Sequence, residues 1–189
     1  MKVSSYSKGD SIPNVGILLI RHGPKRKRIH PLEQTPLSEN GIKQVIQFAK
    51  AWDGPIPSKV LTSPIDRCAQ TASIIIETND WKQGVQRSRL LGDPGPFVID
   101  SEVVSDQLKG MDEHGTMGFF REHIDGAIKP GMASLAEGSI VLLEELVSTH
   151  RDGLVLAVSH DVIISALAAH LGINDKEWPE PLCGLAIRF

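Results

Sequence analysis

The stretch that decides the fold is Val15-Gly16-Ile17-Leu18-Leu19-Ile20-Arg21-His22-Gly23. Val15–Ile20 is a short continuous apolar run without the alternation of a half-solvated strand. It predicts a strand buried on both faces of a parallel sheet. The residues that follow carry a guanidinium and an imidazole. In open α/β sheets ligands bind outside the carboxyl ends of the strands. Arg21 and His22 therefore stand where a site is expected, and every other strand end calls for the same reading.

Working outward, residues 1–14 read as a loose leader ending at Pro13-Asn14, and residues 24–37 as a polar, proline-containing loop. Ser38 is placed to cap a helix reaching about Trp52, with Ile42, Val45, Ile46, Ala49 and Trp52 on its inner face. Lys59–Thr62 reads as a second short strand. Ser63-Pro64 then supplies an N-cap and first-turn pair for a helix to about Glu77. Leu90–Asp93 reads as a third strand or its end, broken by Pro94-Gly95-Pro96. Residues 100–134 are expected to form short helices and a flap. Ser134 to Thr149 is a helix with Ile140, Leu143, Leu146 and Val147 inward. Leu154–Val158 is another buried strand, Val162–Leu171 a helix closed by Gly172, and Leu185–Phe189 an edge strand. Strands alternating with helices indicate an α/β fold, a three-layer sandwich with a mostly parallel central sheet flanked by helices. The expectation is a single domain over residues 1–189 with a flap or insertion around 100–134.

Composition agrees with such a domain. The chain has 189 residues, 41% hydrophobic and 23% charged, with a formal net charge of -3. That charge gives no support for a nucleic-acid or membrane-surface partner. Cys68 and Cys183 are too few and too far apart for a disulfide framework or a metal-ligand spacing, so both are expected as free thiols. Met1 to Gly16 lacks the apolar run of a signal peptide. No apolar stretch approaches the roughly 20 residues of a membrane span. A cytoplasmic location is expected. The one charge run, Lys25-Arg26-Lys27-Arg28, is either a solvated loop or a guide for a polyanionic substrate or phosphoprotein.

The predicted strand ends collect a chemically coherent set. After Val15–Ile20 come Arg21 and His22; after Lys59–Thr62 come Ser63, Pro64 and, in the next helix's first turn, Arg67. After Leu90-Leu91 comes Asp93, and after Leu154–Val158 come His160 and Asp161. A neutral imidazole can attack phosphorus and form a covalent phosphohistidine. Guanidinium groups offer planar forks to phosphate oxygens and stabilise charge in the transition state. A second histidine, held cationic, adds a donor, and a carboxylic acid can protonate the leaving oxygen and later deprotonate water. Arg67 opposes the helix dipole where it stands, costing ~0.3–1 kcal/mol, unless an anion binds there. Asp66 beside it is the plainer counterbalance.

Four segments carry a resemblance. Leu18-Leu19-Ile20-Arg21-His22-Gly23 resembles the Arg-His-Gly signature of the histidine phosphatase superfamily, which includes the cofactor-dependent phosphoglycerate mutases. Thr35-Pro36-Leu37-Ser38 through Gly41 and Gln44 resembles its Pro-Leu-Thr-x-x-Gly-x-x-Gln segment. Ser63-Pro64-Ile65-Asp66-Arg67-Cys68-Ala69-Gln70-Thr71-Ala72 is similar to its Ser-Pro-Leu-x-Arg-Ala-x-Gln-Thr-Ala helix, and Val158-Ser159-His160 to its second histidine. The segments fall in family order across residues 15–172. The resemblance implies a phosphoglycerate mutase-like fold, His22 as nucleophile, and Arg21, Arg67 and His160 as ligands of the phosphoryl oxygens. It implies neither a metal nor another cofactor. The general acid has two candidates. Asp93 sits where the family's glutamate follows the second arginine; Asp161 sits where the acid phosphatase branch places its donor. Asp93 is favoured because the rest resembles the shorter mutase-like branch. Pro24 replaces the glutamate common after Arg-His-Gly, and the mutases' substrate loop is not recognisable. Lys25, Arg26 and Arg28 are candidate substrate guides there instead.

The function expected is metal-independent hydrolysis of a phosphomonoester, in a small molecule or a phosphoprotein, through a phosphohistidine on His22. The alternatives are a phosphoglycerate mutase-like phosphotransferase and a catalytically inactive module that binds phosphorylated ligands. His30, His114, His123, His150 and His170 do not pair at zinc-site spacing and are read as surface or helix-packing residues. Phe119, Phe120, Met111, Met117 and Met132 are read as pocket lining or as core under the flap. Cys68 is read as a small buried packing residue.

Overall fold

The computed structural model describes residues 1–27, 34–173 and 177–189. Its elements run β1 (Lys2–Tyr6), β2 (Gly16–Arg21), α1 (Glu39–Lys50), β3 (Lys59–Thr62), α2 (Asp66–Thr78), β4 (Val85–Arg87), a 3-10 turn at Arg89–Leu91, α3 (Ser101–Leu108), α4 (Glu113–Ile124), α5 (Leu135–Thr149), β5 (Leu154–Ser159), α6 (Asp161–His170) and β6 (Gly184–Arg188). The strands form one sheet in the order β1-β6-β2-β5-β3-β4. The β2·β5, β5·β3 and β3·β4 pairs are parallel, and β6 runs antiparallel to both its neighbours.

The alternation of β2 side chains explains why its run is unbroken. Ile17 and Leu19 pack on one face with Leu142, Leu146, Ile164 and Leu167 of α5 and α6. Leu18 and Ile20 pack on the other with Val45, Ala49, Ala72 and Ile75 of α1 and α2. Both faces are covered, so no position of the strand can be polar. Each fully buried Leu or Ile stabilises the fold by ~1.5–3 kcal/mol. The expected three-layer α/β sandwich is therefore the observed one. No helix among the described residues is long and apolar enough to cross a membrane.

Several local expectations are corrected. The leader contains β1, paired with β6 from Lys2↔Arg188 to Tyr6↔Gly184. That puts β6 inside the sheet rather than at its edge. Leu90-Leu91 lies in a 3-10 turn, and the third strand of that region is the shorter Val85–Arg87. Helix α2 begins at Asp66, later than Ser63-Pro64 suggested, with no side-chain cap. Ser38 does cap α1, its Oγ accepting from Gly41 N at 2.9 Å. The buried face of α1 is Gly41, Val45 and Ala49, and Ile42 is exposed. Gly41 faces inward because a Cβ there would lie 2.0 Å from the Pro24 carbonyl oxygen, so only glycine lets the loop after His22 close on the helix. In α5 the buried face is Gly138, Ser139, Leu142 and Leu146, while Ile140 and Val147 are exposed. The bare Cα of Gly138 accommodates the Phe97 ring, which a Cβ would meet at 2.3 Å, and this rotates the helix. The region 100–134 holds two short helices, α3 and α4, as expected.

Register delivers the site. Ile20 lies opposite Val158, and Val158 opposite Thr62, so three parallel strands end level with one another. The chain continues the ladder briefly: His22 N donates to Ser159 O at 3.0 Å and Ser63 N to Val158 O at 3.1 Å. His22, Ser63 and His160 thus emerge side by side.

Candidate active site

His22 is buried directly beyond β2. Its Nδ1–H donates to the carbonyl of Gly23 at 2.6 Å, which fixes the tautomer and leaves the Nε2 lone pair outward. That lone pair accepts from Arg67 Nε at 3.0 Å. Burial first, then the Arg67 guanidinium, lowers the His22 pKa to about 3. The imidazole is neutral across the physiological range, as a nucleophile requires.

His160 stands beside it, ring centroids 5.3 Å apart in an edge-to-face arrangement. Burial, and then the charges of its neighbours, hold its pKa well below the ordinary value. The expectation of a cationic second histidine is therefore corrected: two imidazoles and a guanidinium in one buried cluster leave no room for a second positive charge. Its tautomer follows from its partners. Nδ1 lies 3.3 Å from Arg67 Nη2, which can only donate, and Nε2 lies 3.0 Å from Ser63 Oγ. Nε2–H therefore donates to Ser63, whose hydroxyl donates to Gly92 O at 3.3 Å.

Arg67 is the hub of this set, projecting from the first turn of α2. The helix also secures the loop beyond His22. Thr71 Oγ1 accepts from Gly23 N at 3.1 Å and donates to Arg67 O at 2.7 Å, and Gln70 Oε1 accepts from Leu37 N at 2.9 Å. The Gln-Thr pair of the sequence motif is thus a bracket between segments. Cys68, on the same turn, is fully buried with its pKa pushed up to about 12 by desolvation, so it is a packing thiol. Both cysteines are free, as expected.

Arg21 ends β2, where the sequence placed it, and its guanidinium is held by protein partners. Its guanidinium joins Asp161, Nη2 to Oδ2 at 2.7 Å, and the Pro179 carbonyl, Nη1 to O at 2.8 Å. The other carboxylate oxygen of Asp161 accepts from Val162 N at 2.9 Å. Arg21 thereby ties the end of β2 to the start of α6 and to the segment before β6. Asp93 lies on the opposite lip, exposed, with Arg89 Nε donating to its carbonyl at 2.8 Å. Arg67, Asp93, His160 and Asp161 all line one cavity of about 200 Å³.

Of the candidate guides, Lys25 forms an ion pair with Glu113 of α4 at 2.9 Å, joining the loop to that helix. Arg26 is exposed, and Arg28 lies outside the described residues, as does His30. Phe120 and Met132 line the cavity, Phe119 is buried, and Met111 is exposed. Among the described residues no cluster of three or more His, Cys, Asp and Glu is disposed to hold a metal ion. Sequence reading passed over Ser63 as a helix cap; its position directly after a buried strand was the available signal. Gly92 and Pro179 act through their backbone carbonyls and carried no side-chain signal.

Residues 17–93 match the family model of the histidine phosphatase superfamily (branch 1). No curated protein matches the chain significantly. Among solved structures, Bacillus stearothermophilus YhfR is 17% identical with a TM-score of 0.62, covering 89% of each chain. A phosphoglycerate mutase from Bacillus anthracis is 17% identical with a TM-score of 0.60, covering 92% of this chain and 86% of that one. A mycobacterial glucosyl-3-phosphoglycerate phosphatase is 22% identical with a TM-score of 0.56, covering 87% and 85%. The chain thus has the phosphoglycerate mutase-like fold, and the segment that matches the histidine phosphatase superfamily model, residues 17–93, is the one that carries Arg21, His22, Arg67 and Asp93.

Proposed function

We propose that this protein is a phosphatase that hydrolyses a phosphomonoester through a phosphohistidine on His22. The observation that carries the reading is the pinned neutral imidazole: Nδ1–H held by Gly23 O and Nε2 directed at the Arg67 guanidinium. A phosphate oxygen taken up by Arg67 brings phosphorus to Nε2. The Nε2–P bond forms as the P–O bond to the alcohol breaks, and Asp93, in its acid form, gives its proton to the departing oxygen. Water then attacks phosphorus, the Nε2–P bond breaks, and the Asp93 carboxylate takes the water's proton. Inorganic phosphate leaves, and both groups return to their starting states. Arg67 supplies the electrostatic stabilisation of the phosphoryl oxygens, so the reaction requires no metal.

Asp93 is preferred over Asp161 as the acid because the Asp161 carboxylate is already bound by Arg21 and by its own helix N-terminus. Hydrolysis of p-nitrophenyl phosphate in excess EDTA, with His22→Ala alongside, tests the function. Activity should survive the chelator and vanish in the variant. Full activity in His22→Ala would overturn the assignment.

A further inference from the structure

The cavity beyond the phosphate site has a composition that selects its occupant. Its wall is built from Phe97 and Val98, from Phe120 on α4, from Met132, and from Ile163 and Ala166 on α6. These elements are bound to one another before any ligand arrives. Ala133 N donates to Phe97 O at 2.9 Å, and Ile99 N to Gly131 O at 2.8 Å. Gly138 packs against the back of the Phe97 ring. The wall is therefore a preformed apolar surface.

Charge on the wall is one-sided. Among the described lining residues Arg67 is the sole cation, and it serves the phosphoryl group. Asp93 and Asp161 are both present. His123 also lines the cavity, buried, and desolvation lowers its pKa, so it is neutral although the backbone of Ala127 favours its protonated form; neither ring nitrogen completes a hydrogen bond within the described residues. Three cations of this region are engaged elsewhere: Lys25 with Glu113, Lys129 with Glu122, and Arg121 over the Trp178 ring at 4.1 Å. Asp161 is already paired with Arg21, so a second anionic group on the substrate would meet an apolar wall with, among the described lining residues, no cation left for it.

We infer that the substrate is the phosphomonoester of a small, uncharged, largely apolar alcohol, of about one ring, and not a phosphorylated acid or sugar. The volume agrees: about 200 Å³ is below the ~300–1,000 Å³ of pockets for drug-sized ligands. A closed apolar cavity of ~150 Å³ accepts benzene. A carboxylated leaving group would bury a charge against Phe97, Phe120 and Ile163 with no cation for it among the described lining residues, and a hydroxylated one would trade apolar contact for the few polar groups at hand, His123, Asp93 and Asp161.

The inference rests on the phosphatase reading, and the experiment separates the two. Benzyl phosphate, glycerol 1-phosphate and 3-phosphoglycerate all release alkyl alcohols, so differences in leaving-group acidity are small. The kcat/KM for benzyl phosphate should exceed the other two at least about tenfold. Met132→Lys, which places a cation on the wall, should lower the ratio of benzyl phosphate to 3-phosphoglycerate turnover. The ratio is taken within each protein, so loss of folded protein cancels. Calorimetric binding of benzylphosphonate against 2-carboxyethylphosphonate gives a readout independent of turnover, and the former should bind at least about tenfold tighter. Equal or reversed preference in either assay overturns the inference. Absence of His22-dependent hydrolysis with tighter benzylphosphonate binding overturns the phosphatase reading and leaves the pocket assignment standing.

Discussion

Arg67 Nε donates to His22 Nε2 across 3.0 Å, so the proposed nucleophile is capped by the residue that is to bind its target. The contact has two consequences. It keeps the lone pair of a buried, neutral imidazole satisfied while no substrate is present. It also makes uptake of phosphate and uncovering of Nε2 one event, because the guanidinium must turn from nitrogen to phosphate oxygen.

Replacing this hub by a point charge should be costly. Arg67→Lys keeps the charge and loses the planar fork, and kcat/KM should fall by about 10²–10³-fold. Arg67→Ala additionally removes a cation that lowers the His22 pKa, so His22 should titrate at a higher pH in that variant. Steady-state kinetics and histidine NMR titration check the two statements. An Arg67→Lys enzyme of wild-type efficiency would refute the role of the fork.

The two acids can be told apart by leaving group. If Asp93 is the proton donor, Asp93→Asn should slow benzyl phosphate about 10²–10⁴-fold and p-nitrophenyl phosphate far less, since p-nitrophenolate leaves without a proton. Asp161→Asn instead weakens the tie to Arg21, and should slow both substrates by a similar factor. The opposite pattern would exchange their assignments.

The parts of the fold legible in the sequence were those with one physical cause. Val15–Ile20 and Leu154–Val158 read as doubly buried strands because nothing but apolar residues suits that place, and β2 and β5 are those strands. Strand β1 was missed because an edge strand half open to solvent needs only Val3 and Tyr6 inward. The inner faces of α1 and α5 were read in part: Val45, Ala49 and Leu146 are buried, whereas Ile42, Ile140 and Val147 are exposed. Their orientation is set by Gly41 under Pro24 and Gly138 under Phe97, close approaches that apolar periodicity does not encode. His22, Arg67 and His160 were legible as strand-end chemistry and do converge. The charge state of His160 was not legible, because burial is a property of the assembled cluster.

Ser63 should act as a positioning residue through the His160 tautomer. Its hydroxyl takes Nε2–H and leaves Nδ1 facing Arg67. Ser63→Ala should shift the His160 nitrogen chemical shifts away from a single tautomer and lower kcat/KM about tenfold, with Ser63→Thr restoring both. Gly92→Ala tests the same contact from the other side. Its Cβ would come within 2.5 Å of His160 Cδ2 at a φ of +135°, so it should destabilise the fold by ~1–3 kcal/mol and displace the ring. A Ser63→Ala protein with unchanged nitrogen shifts would remove Ser63 from this role.

The neutral histidines also set a pH dependence of stability. His22 titrates at about 3 in the native protein and His160 well below its ordinary value, whereas both titrate near 6.5 when exposed on unfolding. Between about 6.5 and the native values the unfolded chain binds more protons than the folded one. Stability must then rise with pH through that window and fall as the solution is acidified, by about 1.4 kcal/mol per pH unit for each group. Above 6.5 both states hold the same protons and these two groups contribute no slope. Urea unfolding of wild type and His22→Asn between pH 8 and 4.5 isolates one of them, because carboxylate contributions are common to both proteins. The wild type should lose stability more steeply below pH 6.5, and the two curves should run parallel above it. Identical slopes throughout would mean that His22 takes up its proton in the folded state near its ordinary pKa, and the site would then lose its neutral nucleophile below about pH 6.5 instead of keeping it down to about 3.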